Sequence, residues 1–88
     1  MMRPNEILKK QFLSIVDRQL EENDPVETKL TLDRLQKEEG FTSEESKGLI
    51  AQCVAQEMAC VMASNEPFNK ERYLKFLSEL PNPPMPTD

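Results

Sequence analysis

The feature that most constrains this chain is the stretch 43–63, which contains no proline and a single glycine. A helix over it would be roughly 30 Å long at ~1.5 Å per residue, about the width of a small domain. Just before it, Thr42 and Glu45 match the S/T-x-x-E pattern of a capping box, which predicts where the helix begins. Gly40 suits the left-handed conformation that ends a preceding helix. The predicted helix is apolar around most of its circumference, so we expect other helices to pack around it.

Two helices are predicted before this one. In the first, apolar residues recur at helical spacing with polar residues opposite them. These apolar residues are Ile7, Leu8, Phe12, Ile15, Val16 and Leu20, with Leu13 as an edge contact. The second is predicted to begin near residue 25, with Asp24 as its cap, Pro25 in its first turn and Glu27 completing a capping box. Its predicted core face carries Thr28, Thr31, Leu32 and Leu35.

A fourth helix is predicted after the long one. Asn69 is expected to cap it, Phe68 to pack on Tyr73, and Pro81 to end it. We therefore predict an all-α fold, a four-helix bundle-like array with helices near 4–22, 25–39, 43–63 and 70–80. Residues 1–80 would form one domain. The proline-rich residues 81–88 would form an extended or disordered tail.

Composition and charge narrow the classes of function. The 88 residues carry 16 acidic and 11 basic side chains, a net charge of −5, which disfavours binding to phosphate backbones and anionic lipid. No apolar run approaches the ~18 residues of a membrane span, and the N-terminus does not match a signal peptide. Two cysteines are too few for a disulfide scaffold. We therefore expect a cytoplasmic protein with reduced thiols that binds neither nucleic acid nor membrane.

Catalytic chemistry has little support in the sequence. The chain has no histidine, which removes the commonest general base and the commonest neutral metal ligand. The paired acids do not match a calcium-binding loop or a di-iron motif. We predict that the protein is not an enzyme and has no cofactor.

Glu57 is the polar residue of greatest interest, because it falls on the apolar side of the long helix. One hypothesis is a partly buried acid with a raised pKa, a candidate acid/base or switch. The alternative function of the protein would then be a carboxylate-centred metal-binding or enzymatic site around Glu57. The other is a structural carboxylate bonded to a hydroxyl, a capping amide or an arginine. Tyr73, Arg34 and Arg72 are the candidate partners. We favour the structural role, since structural networks also perturb carboxylates.

The two cysteines share a helix face. Cys53 and Cys60 are seven residues apart, which separates their Cα atoms by ~10.5 Å. A disulfide tolerates only about 7 Å. We favour two small core side chains over a redox pair across a dimer or a shared metal site. We predict that Cys53 is protected in the core, whereas Cys60 lies towards the row of Ala59 and Ala63.

A helix-turn-helix over residues 30–61 is a weaker alternative, because a short glycine turn joins two predicted helices. The second helix of such a motif enters the major groove of DNA by its first turn. Here that turn contains Glu44 and Glu45, whose charges oppose phosphate. We therefore expect no nucleic acid as a partner.

Apolar residues exceed what one small core needs. In the second helix, Val26 and Leu30 point away from the predicted core face. In the long helix, alanines recur every four residues, a row that lets another helix approach closely. This row consists of Ala51, Ala55, Ala59 and Ala63. Uncovered apolar surface of this kind usually marks a contact, so we predict a homodimer with these six residues as its candidate interface.

Several segments resemble a group of small uncharacterised bacterial helical proteins. They are the segments 40–46 (GFTSEES), 49–50, 57, 67–73 (PFNKERY) and 80–81, so the resemblance covers roughly residues 22–81. The resemblance implies an all-helical fold and a bacterial cytoplasmic setting, and it transfers no catalytic residue. The function that we predict is a non-catalytic protein–protein interaction or structural module that self-associates.

Overall fold

Four helices form the fold: α1 (Pro4–Glu22), α2 (Val26–Lys37), α3 (Ser43–Ser64) and α4 (Lys70–Glu79). The structure is a computed structural model that describes the backbone over residues 4–82 and the side chains over residues 9–82. Residues 4–82 contain no β-strand, so the predicted all-α four-helix array is confirmed. Most of the predicted proline-rich tail lies outside the described residues.

The two middle helices hold the array together. Both α2 and α3 contact all three other helices, whereas α1 and α4 have no backbone contact with each other over the described chain. The prediction that other helices pack around α3 is therefore confirmed. As a consequence, α1 lies along one flank of α3 and α4 lies along another.

The junction between α2 and α3 follows the predicted capping chemistry. The Thr42 side chain accepts a hydrogen bond from the Glu45 N–H at 3.1 Å, and the Glu45 carboxylate accepts one from the Thr42 N–H at 2.9 Å. Gly40 has a φ of 76°, and the Phe41 N–H donates to the Leu35 carbonyl at 3.1 Å. A residue with a Cβ would be strained at this φ, which explains the glycine.

The start of α2 differs from the prediction. Asp24 does not cap the helix, and the predicted capping box with Glu27 is absent, because Pro25 itself occupies the N-cap position and provides no side-chain hydrogen bond. The Asp24 N–H is instead bonded to the Gln19 carbonyl at 3.1 Å. Asp24 therefore belongs to the turn that leaves α1, one residue too early to reach the free amides of α2.

The core lies between the four helices. Its buried apolar residues are Val16, Leu32, Leu35, Ile50, Ala51, Cys53, Val54, Tyr73, Leu77 and Leu80. Phe12, Leu13 and Leu20 of α1 pack against this core from its edge. Ile15, predicted to be part of the apolar face of α1, is 38% exposed because it lies about 100° around the helix from the buried Val16. The predicted contacts of Ile7 and Leu8 lie outside the described side chains.

The prediction that Cys53 is protected in the core is confirmed, because its side chain is fully buried. Cys60, interpreted as a second small core side chain, is only half-buried, and both thiols are free. Burial, with a smaller contribution from the charge of Glu79, raises the pKa of the Cys53 thiol to about 12. Since the thiolate is the nucleophile, Cys53 is doubly protected, by lack of access and by scarcity of the reactive form.

Thiol labelling is expected to separate the two cysteines. A thiol reagent added to the native protein should modify Cys60 first and Cys53 only as the protein unfolds. A Cys60→Ser variant isolates Cys53, and its labelling rate should rise steeply in denaturant. Rapid labelling of native Cys60→Ser would mean that α3 is rotated relative to the structure.

Candidate functional site

Glu57 is the one fully buried carboxylate within the described side chains, and it joins α3 to the start of α4. Arg72 donates a hydrogen bond to each oxygen of this carboxylate: Nε lies 2.6 Å from Oε1, and Nη2 lies 2.7 Å from Oε2. The Asn69 N–H donates to Oε2 at 2.8 Å. Such a two-pronged arginine–carboxylate pair combines a strong charge-assisted bond with a fixed geometry.

The position of Arg72 follows from how α4 begins. The Asn69 side chain caps the helix as predicted, accepting a hydrogen bond from the Arg72 N–H at 3.1 Å. Phe68, just before the cap, meets the Tyr73 ring edge-on with their centroids 5.5 Å apart, which confirms the predicted contact. Glu57 thereby fixes the first turn of α4 through both a backbone amide and a side chain.

These contacts decide the ionisation of Glu57. Hydrogen bonds from Arg72 hold the pKa of the Glu57 carboxyl below its usual value, against the opposing effect of burial. The Asn69 amide lowers the pKa further. The hypothesis of a buried acid with a raised pKa is therefore wrong. Glu57 is a structural carboxylate, paired with one of the three predicted partners and with a capping amide.

Metal binding has no support in the same region. The side chain of Glu57 is fully buried, and its oxygens are bonded to Arg72 and Asn69. Among the side chains that the structure describes, no group of three or more cysteine, aspartate, glutamate or histidine residues could hold a metal ion. No observation on the described residues thus supports a site centred on Glu57 for metal or substrate.

The other two candidate partners of Glu57 bind elsewhere. Arg34 extends from α2 to the end of α4, where Nη1 donates to the Leu80 carbonyl at 2.8 Å and Nη2 to the Leu77 carbonyl at 2.9 Å. The Leu77 carbonyl also accepts a hydrogen bond from the Leu80 N–H at 3.2 Å, and the negative end of the helix dipole favours a cation beside these carbonyls. Arg34 therefore caps α4 at its C-terminus.

Tyr73 belongs to a buried polar cluster that the sequence analysis did not find. Its hydroxyl donates to Gln19 Oε1 at 2.9 Å, and the Thr28 hydroxyl donates to the same oxygen at 2.7 Å. Burial raises the pKa of Tyr73 to about 12. The cluster ties together α1, α2 and α4. The one indication of this cluster in the sequence is Thr28, a polar residue on the predicted core face of α2.

The six candidate interface residues fall into different environments. Ala51 is only 5% exposed and belongs to the core, so it must be removed from the candidate interface. Ala55 is half-buried, and Ala59 and Ala63 are exposed. The first alanine of the row therefore lies in the core, and the last two lie at the surface.

The open end of this row is enlarged by a residue that the prediction omitted. Met62 is 81% exposed, the most exposed large apolar side chain among the described residues. We call Ala55, Ala59, Met62 and Ala63 together the α3 face. Between residues 48 and 65 the chain has one charged residue, Glu57, and it is buried. The α3 face therefore carries no charge.

The apolar row of α2 has a different setting. Val26 is 45% and Leu30 is 59% exposed, so α1 does not hide them. They share one i+4 row with Arg34, which reaches α4, so the row lies on the α4 flank. Ala55 of the α3 face instead lines the space between α1 and α3. Charged residues border the α2 row on both sides: Glu27, Lys29 and Asp33.

A groove of about 920 Å³ opens between α1 and α3. Its lining residues are Lys9, Phe12, Leu13, Asp17, Phe41, Glu44, Glu45, Lys47, Gly48, Leu49, Ala51, Gln52 and Ala55. Its charged members lie on α1 and near the start of α3, where Lys47 and Asp17 form an ion pair of 3.0 Å. Of the lining residues on α3, Ala51, Gln52 and Ala55 are uncharged, and Ala55 also belongs to the α3 face.

Glu44 and Glu45 are both exposed in the first turn of α3. Two carboxylates therefore lie at the position by which the second helix of a helix-turn-helix would enter the groove of DNA. Over the described residues, no helix combines the length and the apolar character that crossing a membrane requires.

Comparison of the chain with models of protein families, with curated proteins and with solved structures found no match.

Proposed function

We propose that this protein is a non-catalytic interaction module that self-associates into a homodimer through the α3 face. The observation that carries the proposal is the combination of exposure, apolar character and absence of charge on that face. Met62 is 81% exposed, and no charged side chain lies on the surface of α3 between residues 48 and 65. Soluble proteins seldom leave such a surface without a partner.

The α3 face has the properties of an interface core. Charged residues are depleted at the centre of protein interfaces, and methionine is enriched there. The small side chains of Ala55, Ala59 and Ala63 leave room for a second helix to approach closely. In a two-fold dimer the same surface serves both copies, so one uncharged face is sufficient.

Electrostatics favours this face over the α2 row. Each copy has a net charge of −5, so two copies repel each other in general. Contact through an uncharged helix surface avoids placing like charges opposite one another. The α2 row would bring Glu27 and Asp33 into the contact, which makes it the weaker candidate.

The non-catalytic part of the proposal rests on Glu57. The carboxylate is held by Arg72 and the Asn69 amide, and its pKa is lowered, so it is poorly suited to proton transfer near neutral pH. Its evident role is to hold α4 against α3. The module thereby keeps a rigid α3 face.

Charged substitutions at the two candidate surfaces test the proposal. Ala59→Arg should convert the dimer into a monomer, because two guanidinium groups would meet at an apolar contact. Leu30→Glu should leave the dimer intact. Gln11→Arg adds the same side chain to an exposed position of α1 and serves as the matched control. Light scattering coupled to gel filtration measures the mass of each variant.

The fold of each variant is checked by circular dichroism, since Ala59, Leu30 and Gln11 are all exposed. If Leu30→Glu dissociates the dimer and Ala59→Arg does not, the interface lies on α2. Dissociation by neither variant would refute both surfaces.

A further inference from the structure

We propose that the groove between α1 and α3 binds a cationic amphipathic segment of a partner protein. The apolar side chains of the segment enter the groove, and its positive charges lie beside Glu44 and Glu45. This interaction goes beyond the proposed self-association, because the partner is not a second copy of the chain. Three observations carry the proposal: the apolar lining of the groove, the glycine in its wall and the balance of its charges.

The groove has an apolar lining that the fold leaves partly uncovered. Four large apolar side chains line it and are half-buried: Phe12 and Leu13 on α1, Phe41 just before α3, and Leu49 on α3. The volume of the groove, about 920 Å³, is typical of a binding cleft, for which the usual range is roughly 300–1,000 Å³. These side chains gain burial when an apolar surface of a partner enters the groove.

Gly48 lines the same groove, and the fold gives no steric reason for a glycine there. Its φ is not positive, so the conformation of the backbone does not require glycine. A Cβ added at this position would meet no other part of the described chain within 4 Å. Glycine weakens the interior of a helix relative to alanine, but it lets the backbone of a bound segment approach closely. Gly48 therefore suits a groove that receives a partner.

The charges of the groove favour a cationic partner. Its lining contains three acids and two lysines. Lys47 and Asp17 neutralise each other in their ion pair of 3.0 Å. Glu44 and Glu45 are exposed and form no ion pair within the described side chains, which leaves two acids against Lys9. The net charge of −5 on the whole chain acts in the same direction, since it attracts a cationic segment.

The three observations together define the chemistry of the partner. The apolar lining requires apolar side chains, and the two unpaired acids require lysine or arginine. An amphipathic helix with apolar residues on one face and basic residues beside them has both, and such helices commonly bind in apolar grooves. A second copy of this chain, with its net charge of −5, is a poorer match for the acids.

Two synthetic peptides test the proposal. One is an amphipathic helix of leucine and lysine, and the other has the same leucines with glutamate in place of every lysine. Each is about 18 residues long, which exceeds the length below which isolated helices are marginal. Fluorescence anisotropy of the labelled peptides measures binding to the wild-type protein. The leucine–lysine peptide should bind about tenfold more tightly than the leucine–glutamate peptide, or better.

Three substitutions locate the binding. Gly48→Leu adds a side chain inside the groove, where there is room for it, and leaves the net charge unchanged. It should weaken binding of the leucine–lysine peptide by about tenfold, the scale for an interface hot spot. Glu44→Lys should also weaken binding, because it reverses one of the two unpaired charges. Glu71→Lys is the matched control, since Glu71 is an exposed acid in the first turn of α4 and does not line the groove, so its effect should be several-fold smaller.

Circular dichroism checks that each variant is folded. Equal binding of the two peptides would overturn the proposal, and so would undiminished binding by Gly48→Leu. Equal weakening by Glu44→Lys and Glu71→Lys would also overturn it, because the attraction would then come from the overall charge and not from the groove. Self-association is measured separately by mass. A wild-type dimer that binds neither peptide would refute this proposal alone, and a wild-type monomer that binds the leucine–lysine peptide would refute self-association alone.

Discussion

Replacing Glu57 with alanine is expected to lower the free energy of unfolding by about 2–5 kcal/mol, the range for truncating a large buried side chain to alanine. The substitution leaves Arg72 and the Asn69 N–H without their shared acceptor. It also leaves a void where a fully buried side chain stood. Urea unfolding followed by circular dichroism measures the change. A small domain has only about 5–15 kcal/mol in total, so the effect should be large.

Glu57→Gln is the matched control, because glutamine keeps the shape and an acceptor oxygen. Its expected effect at neutral pH is smaller, about 1–3 kcal/mol. The folded-state pKa of Glu57 is lowered, so its ionised form stabilises the protein above its unfolded pKa near 4.5, and this contribution is lost as the pH falls through the folded pKa. The difference between wild type and Glu57→Gln should therefore shrink below pH 4.5. Equal stability of the two proteins at every pH would place Glu57 in water and contradict the structure.

Replacing Tyr73 with alanine should destabilise the protein by about 3–5 kcal/mol, the range for truncating a buried aromatic residue. The ring is fully buried at the centre of the core and contacts Phe68 edge-on. Its hydroxyl also bonds Gln19, which links α4 to α1. Thermal or urea unfolding measures the loss.

Tyr73→Phe separates the hydroxyl from the ring. Since Gln19 Oε1 still accepts a hydrogen bond from Thr28, the loss of the hydroxyl should cost only about 1 kcal/mol. Equal effects of the two substitutions would contradict the packing described here, because they would assign all of the energy to the hydrogen bond.

Local chemistry explains why the helix ends were largely predictable. The capping box of Thr42 and Glu45, the Asn69 cap and the left-handed Gly40 each depend on residues within six positions of one another. Such short-range hydrogen bonds form in nearly any tertiary context. Asp24 is the exception, because the path of the chain out of α1 placed Pro25 at the N-cap and moved Asp24 out of reach.

Contacts between helices could be predicted only as sets of candidates. Arg34 and Arg72 are chemically equivalent partners for Glu57 in the sequence. The choice between them depends on α4 packing with its start beside Glu57 and its end beside α2. The cluster of Gln19, Thr28 and Tyr73 joins residues up to 54 positions apart, and no periodic pattern in the sequence predicts it.

The candidate interface shows the same limit on one helix. Ala51 and Ala59 occupy the same i+4 row, so the sequence alone treats them alike. Only the tertiary packing of α3 buries one and leaves the other exposed. The 81% exposure of Met62 depends on the same packing, so the sequence pattern does not predict it.

Sedimentation equilibrium of the wild-type protein, from low to high micromolar concentration, tests the central claim most directly. The chain has a mass of 10.2 kDa, and the account predicts that the observed mass rises towards twice that value as the concentration increases. It also predicts that Ala59→Arg stays at the monomer mass over the same range. A wild-type mass of 10.2 kDa at every concentration would contradict the account.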